Sequence, residues 1–127
     1  MERNNLNTPV LAAGILMAVT FLVHVFVGGP ELYGPIRQSS LSMIERSTWS
    51  VVWHFTSLQL LMLSVALFYL ARHRNKGVFV YVLVTSIGFA ALFIAYGFFD
   101  LGSVWPMPQW IAFANVTVLM IWGRDRP

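Results

Sequence analysis

VLAAGILMAVTFLVHVFVG, residues 10–28, runs nineteen positions without an Asp, Glu, Lys or Arg, and its reading decides the fold. At ~1.5 Å per helical residue it extends ~28 Å, close to the ~30 Å hydrocarbon core of a bilayer. Thr8 stands where a helix N-cap belongs, and Pro9 suits the first helical position, where its missing N–H costs nothing. Arg3 ahead of an apolar run is also how a signal peptide begins. This run is longer than a secretory h-region, however, and no A-x-A pattern closes it, so it is read as a retained membrane span.

Three further apolar stretches follow, at residues 49–70, 78–99 and 108–122. The last is the shortest, and Trp105, Trp110 and Trp122 bracket it as interfacial anchors. The expected fold is therefore all-α: an integral membrane four-helix up-down bundle, with residues 1–127 forming one transmembrane domain. Composition agrees. The chain is 57% hydrophobic and only 10% charged, where a soluble domain carries about a quarter charged residues. Too few polar groups remain to clothe a water-facing surface.

The charges fix the expected orientation. With four spans, Arg3, Arg72, Arg74, Lys76, Arg124 and Arg126 share one side, against Arg37 and Arg46 on the other. The positive-inside rule puts the larger group, with both termini, in the cytoplasm and loops 1 and 3 in the periplasm. The formal net charge of +3 sits at segment ends rather than in one stripe. It is read as a topology signal, with the bilayer and not nucleic acid as partner. The chain has no cysteine, which excludes disulfides, thiolate nucleophiles and Cys-ligated zinc or iron–sulfur sites.

The first outer loop, about residues 29–48, opens with GGPELYGP, which reads as turn chemistry. Its later part, Ser39 to Arg46, reads as a short interfacial helix or an early start to the second span.

The polar residues inside the spans point to function. His24 lies four residues before the end of the first span, and His54 five residues after the start of the second. Because these spans run in opposite directions, both imidazoles are expected at one depth beneath the outer surface. Ala13, Met17, Thr20, His24 and Gly28 recur at helical spacing, with Glu31 beyond them. On the second span, Ser47, Ser50, His54, Ser57, Leu61 and Ser64 form a small, polar seam, expected to face a neighbouring helix. Thr85, Gly88, Leu92, Tyr96 and Asp100 lie near one face of the third span, and Gln109 opens the fourth at the same level.

Ionisable groups at membrane depth are costly and mark functional sites. Two imidazoles at one level suit the axial positions of a b-type haem. With Glu31 or Asp100 they also suit a transition metal such as zinc, copper or iron. Tyr96, Gln109, Ser50, Ser57 and Thr20 are the expected supporting residues. Against both stands a purely structural role for the two histidines, each satisfied by neighbouring hydroxyls or carbonyls.

His73, within Arg72–Lys76, belongs to a solvated turn that touches anionic headgroups or simply anchors topology. Gly14/Ala18 and Ala91/Ala95 mark packing faces, and Gln59 and Asn115 interhelical hydrogen bonds. No phosphate-binding glycine loop, nucleophile elbow or HExxH helix is present.

Three functions stay open. One is a small cofactor protein, with His24 and His54 binding haem or metal for electron transfer or metal handling. A second is a non-catalytic accessory or assembly subunit of a larger membrane complex, or of a homo-oligomer. The third is a lipid- or quinone-site protein at the outer leaflet. In layout, and in His24-Val25-Phe26-Val27-Gly28-Gly29-Pro30-Glu31, Trp53-His54, Tyr96-Gly97, Gly102-Ser103 and Met107-Pro108-Gln109-Trp110, the chain resembles small four-span bacterial inner-membrane proteins. That resemblance implies a bacterial inner-membrane location. It implies no activity.

Overall fold

The computed structural model describes residues 6–124; Arg3 and Arg126, counted above for orientation, lie outside them. The described residues are helical, without strands. Helix α1 spans Thr8–Val23 and passes directly into a π-helix, His24–Tyr33, and then into α2, Gly34–Arg37. These three form one helical rod of 30 residues. Helix α3 spans Met43–Leu70, α4 Lys76–Leu101 and α5 Trp110–Gly123. The rod, α3 and α4 are long and apolar enough to cross a membrane, and α5 is a shorter apolar helix of 14 residues.

Local chemistry sets the ends. The cap of α1 is Asn7, not Thr8: its Oδ1 accepts from the Val10 N–H at 3.3 Å, which puts Pro9 second in the helix. The amide of Asn7 wins because it serves two partners at once, its Nδ2 also donating to the Gly123 carbonyl at 2.7 Å. At α3, Ser42 and Glu45 form a capping box, so the second span does begin early, as one of the two readings of Ser39–Arg46 held. Helix α4 is capped by Asn75. It ends at Gly102, whose φ of +66° is left-handed backbone that only glycine adopts without cost.

GGPELYGP is not a turn. Pro30 lacks an N–H and its ring crowds the carbonyl four residues back, which breaks an ordinary helix. Here the backbone widens to i→i+5 pairing across His24–Tyr33 and the helix continues around the proline.

The backbone N–H of Asn7 donates to the Ala71 carbonyl at 2.9 Å, so the start of α1 meets the ends of both α3 and α5. Helices α1 and α4 therefore run one way and α3 and α5 the other. Helix α1 packs between α3 and α5, and α4 packs against α5; α3 and α4 touch only sparsely.

The core follows a three-and-four residue rhythm: Val10, Ala13 and Met17 on α1, Leu60, Leu63, Leu67 and Leu70 on α3, Phe113, Val116 and Met120 on α5. Gly14 lets α1 approach Phe68 and Leu67, and its carbonyl accepts from the buried Ser64 hydroxyl at 3.3 Å. Nearly all of this burial lies in the half of the bundle around Asn7, Ala71 and Gly123. The π-helix and α2 bury no residue. The bundle is closed at one end and splayed at the other.

Candidate functional site

In the splayed half the helices line a partly open cavity of about 190 Å3. The first rod contributes Thr20, His24, Gly28 and Glu31. Trp53, Thr56 and Leu60 come from α3, Phe89 and Phe93 from α4, and Gln109 and Phe113 from the start of α5. Phe113 stacks on Phe89 with ring centroids 4.8 Å apart and on Phe93 at 6.1 Å, so one wall is a continuous aromatic surface.

His24 and Trp53, also in the lining, belong to a ring stack built on Trp53. His24 lies nearly flat on its indole at 4.1 Å and 18°, and Tyr33 stacks on it at 5.5 Å and 9°. Gly28 makes this approach possible, since a Cβ there would stand 3.1 Å from the indole edge. The Tyr33 hydroxyl donates to the Ser50 hydroxyl at 3.0 Å, and Ser50 donates onward to the Arg46 carbonyl at 2.8 Å. The Nε2 of His24 is buried and has no hydrogen-bond partner. Such an atom costs about 1–3 kcal/mol until something bonds to it.

The expected pairing of histidines takes a different form. His54 is exposed, meets the edge of Tyr33 at 5.5 Å and is not part of the cavity wall. His24 and His54 are thus linked through Trp53 and Tyr33 rather than facing each other across a slot. The inward face of α3 is Leu67, Ser64, Leu63, Leu60, Thr56 and Trp53: Ser64 of the polar seam belongs to it, whereas His54 does not. The reason is physical. Burying an indole outweighs burying an imidazole, and Ser57 satisfies its hydroxyl on its own helix, donating to the Trp53 carbonyl at 3.0 Å, so it needs no interior partner.

The expected face of α4 is likewise displaced. Gly88, Leu92, Tyr96 and Asp100 are exposed, while Val82, Ser86, Ala90 and Gly97 are buried and Phe89 and Phe93 face the cavity. Thr20 lines the cavity with its hydroxyl bonded to the Leu16 carbonyl at 2.9 Å. Glu31 and Gln109 reach the cavity from exposed positions. Of the residues expected at the site, the structure brings together His24, Glu31, Thr20 and Gln109, and not His54, Asp100, Tyr96, Ser50 or Ser57. Among the described residues no group of three or more His, Asp or Glu side chains gathers to hold a metal ion.

Elsewhere, the Gln59 amide donates to the Tyr81 hydroxyl, joining α3 to α4, whereas Asn115 bonds within its own helix, to the Ile111 carbonyl. His73 is exposed and stacks on Tyr69 at 4.9 Å.

Trp53 and Tyr33 are the residues that sequence reasoning missed. Trp53 had a signal: the stripe Leu70, Leu67, Leu63, Leu60 extends in the same rhythm to Thr56 and Trp53. Tyr33 had none, because only the continuation of the helix through Pro30 brings it over α3. No family model, curated protein or solved structure matches the chain.

Proposed function

We propose that this chain is a bacterial inner-membrane protein whose splayed end, on the periplasmic side, binds a flat-ringed, tailed lipid of the quinone type. The single observation that carries this reading is the unpartnered His24 Nε2 in the wall of an aromatic cavity. Pockets for such ligands are mostly apolar, with a few polar groups that orient the head. An engineered cavity of ~150 Å3 already holds a benzene ring, so about 190 Å3 suits one substituted ring.

In this reading His24 bonds to a ring oxygen, which removes the cost of its orphaned nitrogen, and Gln109 and Glu31 are the polar groups nearest the rim. Phe93 and Phe113 supply a face for the ring. The sparse contact between α3 and α4 supports an exit for an apolar tail sideways into lipid.

The membrane part of the reading rests on the three long apolar helices and on the large aliphatic and aromatic side chains exposed along them. The sidedness rests on the excess of Lys and Arg at the Asn7 end. Because the chain has no cysteine, single-cysteine labelling in intact cells gives a clean readout. Ser40→Cys should react with a membrane-impermeant maleimide, and His73→Cys only after the membrane is opened; the reverse pattern would overturn the orientation.

Binding is tested with decylubiquinone on detergent-purified protein, read by quenching of tryptophan fluorescence and by thermal shift. His24→Ala should weaken binding roughly tenfold, the worth of one buried hydrogen bond. Thr20→Phe, which fills the cavity, should abolish it, and His54→Ala should leave it unchanged. Absence of binding, or equal sensitivity to His24 and His54, refutes the proposal. A Soret band lost in both histidine variants would replace it with haem ligation.

A further inference from the structure

A second recess, of about 220 Å3, is lined by Arg37, Met43, Arg46, Ser47 and Ser50, the last bonded to the Tyr33 hydroxyl. Arg37 is the last residue of α2 and Arg46 sits in the first turn of α3. The link 38–42 folds the chain so that two guanidinium groups border one space. Arg46 Nη1 fastens this fold by donating to the Arg37 carbonyl at 3.3 Å, and the Ser39 hydroxyl donates to the Ile36 carbonyl at 2.7 Å.

Two cations brought to one recess repel unless something neutralises them. Among the described residues neither is paired with a carboxylate. Arg37 donates to the Tyr33 hydroxyl at 3.4 Å, with its guanidinium carbon 6.0 Å from that ring's centroid. Glu45, the acid next to Arg46 in sequence, is committed to the Ser42 backbone N–H at 2.8 Å. The Nε of Arg46 is buried without a partner, and Ser47 offers a hydroxyl to the same space. Guanidinium forks match the oxygen spacing of a phosphate and bind it through paired charge-assisted bonds.

We propose that this recess binds a phosphate group through Arg37, Arg46 and Ser47. The proposal is independent of the quinone reading and of the sidedness of the membrane. Two sources carry the chemistry, a phospholipid headgroup and free phosphate. Met43, in the lining, is 76% exposed, and its chain neighbour Ile44 79%; apolar side chains beside cations belong at the boundary between headgroups and acyl chains.

The test uses delipidated, detergent-purified full chain, titrated with inorganic phosphate and, separately, with dihexanoyl phosphatidylglycerol, and read as thermal shift. Saturable stabilisation is expected with at least one probe. It should weaken about tenfold or more in Arg37→Gln and in Arg46→Gln, as befits loss of a charge-assisted bond. Arg46→Lys, which keeps the charge but not the fork, should fall between. Arg72→Gln, at the other end of the bundle, should match the native chain.

Circular dichroism without ligand separates lost binding from lost folding. Tighter binding of phosphatidylglycerol assigns a lipid headgroup; equal or tighter binding of inorganic phosphate assigns the free anion. No saturable effect from either probe, or the same effect in Arg37→Gln, Arg46→Gln and Arg72→Gln, overturns the proposal.

Discussion

Replacing Gly123 with alanine should destabilise the protein by about 1–3 kcal/mol, although alanine is the better helix former. The reason is the Asn7 junction. A Cβ on residue 123 would stand 2.7 Å from Asn7 Oδ1 and 2.8 Å from Val10 Cγ2, whereas comfortable contacts between carbons lie at ~3.5–4.0 Å. Something must move by roughly 0.7 Å or more. The movable group is the Asn7 side chain, which holds both the cap bond to Val10 and the bond to the Gly123 carbonyl.

Each such bond is worth about 1 kcal/mol, and forced overpacking costs about 1–3 kcal/mol. Against this stands a propensity gain of at most about 1 kcal/mol, reduced because residue 123 ends its helix. Asn7→Ala alone should cost about 2 kcal/mol, from the lost cap and the lost bond. In the double variant the clash with Asn7 has gone and only that with Val10 remains. Its cost should therefore fall short of the summed single costs by about 1 kcal/mol or more. Unfolding by SDS titration in mixed micelles, followed by circular dichroism, measures all three. A Gly123→Ala protein as stable as the native one, or strict additivity in the cycle, would refute the clamp.

Two other changes separate specific geometry from composition. Gly102→Ala should cost about 1–2 kcal/mol by the same titration, because its φ of +66° is closed to side chains, whereas Gly29→Ala, with open space around its Cβ, should be neutral or slightly stabilising. Trp53→Leu should cost about 1–3 kcal/mol through the two ring stacks it breaks, and His54→Ala next to it no more than about 0.5 kcal/mol; the reverse order would mean that α3 is turned as the polar seam suggested.

The helices themselves were legible, because long charge-free runs have few alternatives to helix. The common depth of the site was legible too: His24 meets Trp53, the neighbour of His54, as the antiparallel arithmetic requires. On α1 the reading of the inward face also agrees, from Ala13 and Met17 through Thr20 and His24 to Gly28.

On α3 it held at Ser64, which is buried against the Gly14 carbonyl, but failed at His54, and it failed on α4, for one physical reason. Serine, threonine and histidine were taken as the inward side, but a hydroxyl on a helix can bond to the carbonyl four residues back, as Thr20, Ser50, Thr56 and Ser57 do. Their polarity therefore does not dictate where they face, and the bulk of Trp53, Phe89 and Phe93 does. The π segment was illegible because Gly-Gly-Pro is stronger evidence for a break than for a wider helix. The close approach of Trp53 to Gly28, where a Cβ would stand 3.1 Å from the indole, is likewise invisible in one dimension.

The concentration of buried aliphatic side chains at one end makes the molecule mechanically uneven. Amides near Met17, Leu63 and Met120 should open only when the whole bundle comes apart, while those from His24 to Arg37, where no residue is buried, should exchange through local fluctuations. The half that buries little can therefore fluctuate without loosening the half that keeps the chain folded.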